Sequence, residues 1–434
     1  MKQVRVRTAP SPTGLAHIGN IYAALFNYTY AKQNKGKFIL RIENTDTERF
    51  VVGAEKVIIG ALNWLGLKYD EGPDVGGKYG PYRQSERLDI YKKYSKQLQD
   101  QELAYKKEGA VWFKVPQGKT SWNDLIRGKI EFDNAQIKDF VIIRSNGFPA
   151  YNFAVVMDDY LMKMSTVVRA EEHISNTPRQ IMLYKALKAE VPEFAHLPLL
   201  RNLDQSKISK RRNPVAIFWY KENGYLPEAL INFLCLLGWS HPQGKEIFSI
   251  EEFIKNFSFK RVSTSAPIFD FKKLDWLNGH YIREKKDGEL IKLLKPFIPK
   301  GMEDSLVEQT ISLVKDRLVR LSDYASLVDF FLEEPEVDLK LLLAKGGKDK
   351  LAISDYLSNS LKKVKEIKSW KTLVLEDEFR KLSQANDYHL GKFFMSVRIA
   401  LTGKSETPPL FETMGVLGQK KVIGRLESVI KKMS

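Results

Sequence analysis

The sequence predicts a mixed α/β protein that has more than one domain and ends in an all-helical region. Three observations support this fold class. The chain has 434 residues, which exceeds the size at which a single hydrophobic core usually stops growing, so two to four domains are expected. Near the start, a β-prone segment, a turn and a helical segment follow one another. Beyond Ser305, apolar residues recur at helical spacing.

The composition indicates a globular protein with a strongly positive surface. Hydrophobic residues make up 43% of the chain and charged residues 28%, and the formal net charge is +16. Because the lysines are spread along the chain, this charge favours a polyanionic partner, and tRNA is the first candidate. A surface of solvated lysines explains the charge alone equally well.

Several classes of protein are excluded by simple counts. The only cysteine is Cys235, so an internal disulfide is impossible and a thiolate-rich zinc site is not expected. No apolar stretch approaches the roughly 18 residues that a membrane span needs, and the first residues lack the apolar core of a signal peptide. We therefore predict a cytoplasmic protein with no membrane partner and no protein-bound zinc.

The first candidate site lies where a strand passes into a helix. Residues 4–7 are β-prone and are followed by a proline- and glycine-containing turn, and helical spacing extends over residues 21–34. The N-terminus of such a helix favours an anion, because its N–H groups are unpaired and the helix dipole is positive there. Gly14 and Gly19 would let the backbone approach a phosphate, and His17 could donate a hydrogen bond to it, although a capping role explains a single histidine more simply.

Two further segments place polar residues after predicted strands. A strand at residues 37–42 ends in Glu43, and ligands of open α/β sheets bind at the carboxyl ends of the strands. A second strand at residues 196–200 leads into residues 204–214, which contain four cations within six positions. A basic loop on its own is usually only a solvated surface segment. The presence of the first candidate phosphate site in the same chain favours a phosphate-binding role for this loop.

The two phosphate-handling segments together resemble the signature pair of class I aminoacyl-tRNA synthetases. The first is His17-Ile18-Gly19-Asn20 and the second is Lys207-Ile208-Ser209-Lys210-Arg211. Longer stretches are similar to bacterial-type glutamyl-tRNA synthetases, at residues 9–14, 41–46, 80–87 and 168–173. The resemblance implies a Rossmann-type parallel sheet as the catalytic domain, an inserted acceptor-binding domain, and an all-α C-terminal anticodon-binding region.

The resemblance also implies how the domains follow one another along the chain. We expect the catalytic domain to be divided into two halves by a short acceptor-binding insertion, and to be followed by a stem-contact domain and a helical anticodon-binding domain. In that order, the five segments are residues 1–80, 81–150, 151–240, 241–304 and 305–434. For the last segment, a solvated helical bundle without RNA contact is the alternative.

The reaction implied by the resemblance is the ligation of L-glutamate to tRNA. ATP with Mg²⁺ activates glutamate to glutamyl-adenylate with release of pyrophosphate, and the glutamyl group then moves to the terminal adenosine of tRNA(Glu), with tRNA(Gln) as a second candidate. No enzyme nucleophile is required, so catalysis depends on positioning and charge stabilisation. We expect a monomer that activates glutamate only when tRNA is bound.

Candidate site residues follow from the same resemblance, with no protein metal ligand among them. The expected catalytic residues are His17, Lys207 and Lys210. Arg169 is expected to bind the side-chain carboxylate of glutamate because a guanidinium can donate two parallel hydrogen bonds, and Glu43 the ammonium. The expected glutamate pocket is Arg7, Ser11, Glu43, Tyr151 and Arg169. The expected ATP site is Pro10, Gly14, His17, Gly19, Glu172, Lys207, Ile208, Ser209, Lys210 and Arg211, with His173 nearby.

The chain departs from the common family pattern at four positions, Asn20, Asn44, Ile208 and Arg211. Of these, Asn44 changes a local charge, because an aspartate is usual there. Three alternatives stay open: a glutaminyl-tRNA synthetase, a truncated paralogue that modifies a tRNA base, and a catalytically inactive RNA-binding relative. The helical spacing after Ser305 disfavours the first two, and the presence of His17 and Lys210 disfavours the third.

Overall fold

A computed structural model describes residues 3–46, 48–206, 208 and 214–433. Contacts divide the chain into two units, Met1–Leu277 and Asn278–Ser434. The predicted stem-contact segment, residues 241–304, is therefore shared between the two units, with its last part in the helical unit.

The first unit begins with the strand, turn and helix expected from the sequence. Strand β1 (Arg5–Thr8) is followed by helix α1 (Ile18–Gln33) and strand β2 (Lys37–Leu40), and the two strands are parallel, with Arg5 opposite Lys37. The helix begins three residues earlier than predicted. The reason is that His17 caps it: its Nδ1 accepts a hydrogen bond from the Gly19 N–H at 3.0 Å.

A second parallel pair of strands continues the first unit. Strands β8 (Thr166–Ala170) and β9 (Glu193–Leu197) are parallel along their whole length. Next to them, the N–H of Ser165 donates to the carbonyl of Arg5 at 2.9 Å, which ties β8 to β1. The predicted strand at residues 196–200 is thus displaced to Glu193–Leu197, and it ends before Pro198, which has no N–H to donate to a sheet.

The segment between these two pairs is the predicted insertion, and it contributes strands to two sheets. Five strands run through it: β3 (Ala104–Lys107), β4 (Ala110–Phe113), β5 (Lys119–Asp124), β6 (Gly128–Asp133) and β7 (Phe140–Ile143). One sheet has the order β3-β4-β7, and the other has the order β6-β5-β9-β8. A parallel bridge between Asp124 and Phe194 joins this segment to the parallel strands β8 and β9.

Nine α-helices complete the described part of the first unit. Helix α1 packs in a core that includes Leu25, Phe26 and Phe38. The pair Thr177-Pro178 predicts an N-cap at Thr177 with proline in the first helical position. Thr177 is instead the first residue of α5, because a 3-10 helix at Glu171–Asn176 runs directly into the helix and Asn176 is the cap. The helices after α1 are α2 Ala54–Trp64, α3 Leu88–Asp100, α4 Tyr151–Leu161, α5 Thr177–Ala186, α6 Ile217–Glu222, α7 Pro227–Leu236, α8 Ile250–Asn256 and α9 Phe271–Glu284, which crosses into the second unit.

The second unit is helical throughout its described residues, as the spacing beyond Ser305 predicts. Its helices are α10 Asp287–Leu294, α11 Asp304–Val314, α12 Asp323–Leu332, α13 Leu339–Gly346, α14 Lys350–Glu366, α15 Thr372–Ala385, α16 Leu390–Thr402 and α17 Leu410–Met433. Helix α17 is interrupted at Gly418, where φ is 78° and ψ is 156°. In the part of the chain that the structure describes, no helix is both long and apolar enough to cross a membrane.

Candidate active site

A buried network of charged side chains lies at the ends of β1 and β2. Arg7 donates from Nε and Nη2 to the two carboxylate oxygens of Asp159 on α4, at 3.0 and 3.2 Å. Arg41 donates from Nη1 to Asp159 Oδ1 at 2.6 Å and from Nη2 to Glu43 Oε1 at 2.9 Å. None of the four side chains belongs to a residue more than 8% exposed. Because an unpaired buried charge is costly, this pairing holds Arg7 and Glu43 in one geometry.

Asp158 extends the network toward the start of the insertion. Its carboxylate accepts hydrogen bonds from Arg87 Nε at 2.6 Å, from Gln84 Nε2 at 2.8 Å and from the Tyr91 hydroxyl at 3.0 Å. At the neighbouring Asp159, burial alone would raise the pKa, but the two arginines outweigh it and lower the pKa below its usual value. Helix α4 therefore presents two carboxylates whose negative charge is compensated by arginines from three other segments.

A cavity of about 110 Å³ opens beside this network. Its polar lining comes from the ends of β1, β2 and β8, from the 3-10 helix at Glu171–Asn176, from α1 and from the start of α4. The cavity therefore lies at the carboxyl edge of the parallel strands, where α/β proteins bind ligands. The volume suits a small molecule, being below the roughly 300 Å³ at which drug-sized pockets begin. The polar lining side chains include Arg7, Asn27, Glu43, Tyr151, Arg169 and His173.

Arg169, at the end of β8, is a charged group of this cavity that the described residues leave without a carboxylate partner. Its Nε donates to His196 Nε2 at 3.2 Å, and its Nη2 donates to the Thr177 hydroxyl at 2.9 Å. Within the described residues it has no carboxylate partner, and its buried Nη1 has no hydrogen-bond partner. Burial lowers its pKa. A buried guanidinium without an anion is unfavourable, so the geometry is suited to a ligand carboxylate.

Asn27 supplies an acceptor in the same lining, which the sequence did not reveal. The residue is 1% exposed, and its Nδ2 donates to the carbonyls of Ala23 and Val168 at 2.8 and 3.0 Å. Among the described residues, its buried Oδ1 has no partner. This oxygen and the Glu43 carboxylate are hydrogen-bond acceptors that suit a cationic group of a ligand, whereas Arg169 in the same cavity suits an anionic group. A ligand with both a cation and a carboxylate fits that combination.

Tyr151 and His173 contact each other on the cavity wall. The Tyr151 hydroxyl lies 3.2 Å from His173 Nδ1, and the ring centroids are 5.8 Å apart. Burial, followed by the charge of Arg169, lowers the pKa of His173 to about 4. The imidazole is therefore neutral near pH 7, and Nδ1 can accept a hydrogen bond from the tyrosine.

A second cavity, of about 310 Å³, shares Gly19 and Glu172 with the first and includes His17. It lies at the N-terminus of α1, where unpaired N–H groups favour an anion. The segment that follows the second signature reaches the first signature here: the N–H of Ile18 donates to the carbonyl of Val215 at 2.8 Å, and the N–H of Ile217 donates to the carbonyl of Ala16 at 2.9 Å. His17 thus has the capping role that the sequence left as the simpler explanation, and it also lines the cavity.

The structure brings most of the predicted site residues to these two cavities. Arg7, Glu43, Tyr151 and Arg169 line the first, as do Pro10, Gly19, Glu172 and His173, whereas His17 and Ile208 line the second. Ser11, which is exposed, and Gly14 line neither. The predicted residues Lys207, Ser209, Lys210 and Arg211 lie outside the described residues.

Asn44, where the family usually has an aspartate, is engaged through both ends of its amide. Its Nδ2 donates to the Ser85 hydroxyl at 2.9 Å, and its Oδ1 accepts from the Ser85 N–H at 2.9 Å. An ionised aspartate has no donor, so at this position the Ser85 hydroxyl would have to donate to it instead of accepting. The asparagine therefore joins the segment after β2 to the start of the insertion without adding a charge.

The sequence matches those of known tRNA synthetases over nearly its whole length. The family model described as the catalytic domain of class I tRNA synthetases (E and Q) matches residues 3–111 and 106–276, and the model described as an anticodon binding domain matches residues 289–430. This chain belongs to the class I tRNA synthetases. The family predicted from the two signature segments is confirmed, and so is its mixed α/β fold with a helical C-terminal region.

Individual members of the family are similar to the chain from end to end. A glutamate–tRNA ligase of Fervidobacterium nodosum is 39% identical with full coverage of both chains, and one of Thermus thermophilus is 40% identical, covering 98% of this chain and 100% of its own. Among solved structures, a glutamate tRNA ligase from Elizabethkingia meningosepticum in complex with its amino acid superposes with a TM-score of 0.89, at 31% identity and full coverage of both chains.

Proposed function

We propose that this synthetase activates L-glutamate with ATP and transfers the glutamyl group to the terminal adenosine of tRNA(Glu), with tRNA(Gln) as a second acceptor to be tested. The observation that carries the choice of amino acid is Arg169, a buried guanidinium on the cavity wall with an unpaired Nη1 and, among the described residues, no carboxylate partner. A side-chain carboxylate neutralises this charge, whereas a neutral glutamine amide does not.

Within the first cavity, the proposed pose places the two ends of glutamate against opposite charges. Arg169 binds the side-chain carboxylate, and Glu43, held by Arg41 at 2.9 Å, binds the ammonium together with Asn27. Arg7, which is locked onto Asp159 through Nε and Nη2, contributes its remaining edge to the cavity. Such preorganised contacts orient the α-carboxylate toward the second cavity without reorganisation during the reaction.

The activation step is assigned to the second cavity. The α-carboxylate oxygen attacks the α-phosphorus of ATP, the bond to the bridging oxygen breaks, and pyrophosphate leaves with the electron pair. His17 and the N-terminus of α1 stabilise the charge that develops on the phosphate oxygens, together with Lys207 and Lys210. We assign Pro10, Gly14, Gly19, Glu172, Ile208, Ser209 and Arg211 to ATP binding, and Ser11 and Tyr151 to the amino acid. Mg²⁺ accompanies ATP and neutralises phosphate charge through the phosphate oxygens.

The remaining assignments concern tRNA. We assign residues 1–80 and 151–240 to the two halves of the catalytic domain, 81–150 to acceptor binding, 241–304 to stem contact and 305–434 to anticodon binding. The helical second unit suits the last role because basic helices can contact phosphates while single-stranded bases are read by stacking and edge contacts. We further propose a cytoplasmic monomer whose ATP–pyrophosphate exchange requires tRNA. Equal exchange without tRNA would contradict that requirement.

The test is aminoacylation of separate tRNA(Glu) and tRNA(Gln) transcripts with labelled glutamate and glutamine. We expect glutamate on tRNA(Glu), and charging of tRNA(Gln) as well would mark a non-discriminating enzyme. Arg169→Gln should lower kcat/KM for glutamate by about a hundredfold or more, because it leaves the substrate carboxylate unpaired. Arg179→Gln is the matched control, because it removes an arginine that donates to the backbone carbonyl of Ser175 at 2.9 Å.

Two results would overturn the proposal. One is that neither transcript is charged with glutamate by the parent. The other is that Lys210→Ala is as active as the parent, since a synthetase of this mechanism depends on the charge of the second signature.

A further inference from the structure

A line of three buried groups connects the insertion to Arg169. Asp124, the last residue of β5, contacts His196 on β9 with a distance of 2.5 Å between Oδ2 and Nδ1. His196 Nε2 in turn lies 3.2 Å from Arg169 Nε. Asp124 is 2% exposed, His196 0% and Arg169 6%. Because all three are shielded from water, each hydrogen bond is made to a specific partner and not to solvent.

The chemistry of this line allows one arrangement of protons. Arginine Nε–H can only donate, so His196 Nε2 must accept, and the proton of the neutral ring then sits on Nδ1 and is donated to Asp124. Burial lowers the pKa of His196, in keeping with a neutral ring. At Asp124, burial alone would raise the pKa, but the hydrogen bond from His196 helps to lower it, so the carboxylate is ionised. The ionised carboxylate thus selects the tautomer that Arg169 requires.

The two carboxylate oxygens of Asp124 make different kinds of contact. Its Oδ1 accepts hydrogen bonds from the backbone N–H groups of Ile126, Arg127 and His196 at 3.1, 3.1 and 3.2 Å, which secure the end of β5 against β9. Its second oxygen is thereby left to the imidazole. Oδ1 holds the backbone at the end of β5, and Oδ2 orients the imidazole of His196. A substitution that changes only one of these atoms can therefore separate the two roles.

We propose that His196 and Asp124 are positioning residues for amino-acid recognition, which fix the orientation of Arg169 so that Nη1 meets the substrate carboxylate. This inference rests on the proposed function of Arg169. Thr177 accepts from Nη2 at 2.9 Å and His196 accepts from Nε at 3.2 Å, so the edge of the guanidinium formed by these two nitrogens is held by the protein. The side that carries Nη1 is left for the ligand. Both positioning residues act through Arg169 and do not touch the substrate.

Three substitutions in the full-length protein test the line. His196→Phe keeps a ring but removes the acceptor for Arg169 Nε. Asp124→Asn keeps an oxygen for the backbone N–H groups, yet its amide donates to His196 Nδ1 and so moves the ring proton to Nε2, where it opposes Arg169. His196→Gln is the conservative variant, because its amide oxygen can still accept from Arg169. The control is His241→Phe, at another buried histidine, paired with Glu252 at 3.2 Å.

The readouts are KM for glutamate, KM for ATP, kcat and Tm. We expect His196→Phe and Asp124→Asn to raise KM for glutamate by about tenfold, as the loss of one buried charged hydrogen bond implies, with KM for ATP unchanged. His196→Gln should recover part of this loss. His241→Phe should leave KM for glutamate at the parent value even where Tm falls. In an Arg169→Lys background, His196→Phe should raise KM for glutamate no further.

Each contrary result has a distinct meaning. If the parent fails to charge glutamate, or if Arg169→Lys leaves KM for glutamate unchanged, the proposed function fails and this inference with it. If Arg169→Lys raises KM but His196→Phe does not, the proposed function stands and the positioning role is wrong. If His196→Phe lowers Tm and changes both KM values equally, or adds fully to Arg169→Lys, the histidine is structural only.

Discussion

At the scale of single residues, the site depends on charges that are matched before any ligand arrives. Asp159 receives Arg7 on one side and Arg41 on the other, and Arg41 also holds Glu43. Because each of these four buried charges has a partner of opposite sign, their mutual attraction offsets much of the free energy that is lost when they are removed from water. Arg169, which the described residues do not match with a carboxylate, differs from them for that reason.

Replacing Asp159, the carboxylate shared by Arg7 and Arg41, should destabilise the folded protein. We expect Asp159→Asn to reduce the free energy of unfolding by about 3 to 5 kcal/mol, because two buried guanidinium groups lose their common partner. Urea unfolding of the full chain measures the effect. The control is Asp100→Asn on α3, an exposed aspartate paired with Lys96 at 2.8 Å, which should cost no more than about 1 kcal/mol. Equal effects of the two substitutions would contradict the role given to Asp159.

His173 should make stability depend on pH. Its pKa is lowered to about 4 in the folded chain by burial and by Arg169, whereas an unfolded histidine has a pKa of about 6.5. As pH falls from about 6.5 toward 4, the unfolded chain binds a proton that the folded chain refuses, so stability decreases. We expect His173→Gln to weaken this decrease in urea unfolding compared between neutral and acidic pH. NMR titration of the parent giving a pKa near 6.5 would show the expectation to be wrong.

At the scale of the element, helix α17 shows how one glycine lets a helix change direction. The buried residues before the interruption include Phe411, Met414 and Leu417, and those after it include Val422 and Leu426. On a straight helix with 3.6 residues per turn, the centres of these two sets would point about 100° apart around the axis. The backbone at Gly418 supplies the change, with φ at 78° and ψ at 156°.

Gly418 and Gly424 form a matched pair for testing this point. Both lie in α17, and a Cβ added at either would meet no atom within 4 Å, so packing does not distinguish them. Gly418→Ala should cost about 1 to 3 kcal/mol, because its backbone conformation is strained for a residue with a side chain. Gly424→Ala, within regular helix, should stabilise by up to about 1 kcal/mol. Unfolding followed by circular dichroism should give opposite signs, and equal signs would exclude the backbone explanation.

For the molecule as a whole, the net charge of +16 should affect the binding of tRNA and not the binding of the amino acid. A polyanion is attracted by the summed field and releases counterions when it binds, so its affinity falls steeply with salt. The Arg169 contact is buried, and salt screens buried pairs much less than exposed charges. The two substrates should therefore respond differently to ionic strength.

Salt titration of aminoacylation should separate these two effects. We expect KM for tRNA to rise with salt along a log–log line whose slope is on the order of several, reflecting the number of phosphate contacts. KM for glutamate, measured at saturating tRNA, serves as the internal control and should change little. If both constants rose in parallel, a general loss of structure with salt would explain the data better than counterion release.

Features that are local along the chain could be predicted from the amino-acid sequence. The β1–α1 segment, the basic second signature and the helical region beyond Ser305 each have a pattern of spacing, turns or charge within a few residues. The resemblance to a known family, carried by the two signatures and several longer stretches, then implied the site residues that the structure places in the two cavities. Boundaries were less accurate where a cap or a neighbouring 3-10 helix intervened, as at Ile18 and Thr177.

The pairing of the buried charges, and the choice of the one left for a ligand, depend on how the chain folds. Asp159 lies 152 residues from Arg7, and Asp124 lies 72 residues from His196. No local pattern links them, because a hydrogen bond depends on where the folded chain places two groups and not on their separation in sequence. The same physical reason explains why Arg169 could be singled out by resemblance, whereas its support by His196 and Asp124 could be seen only in the fold.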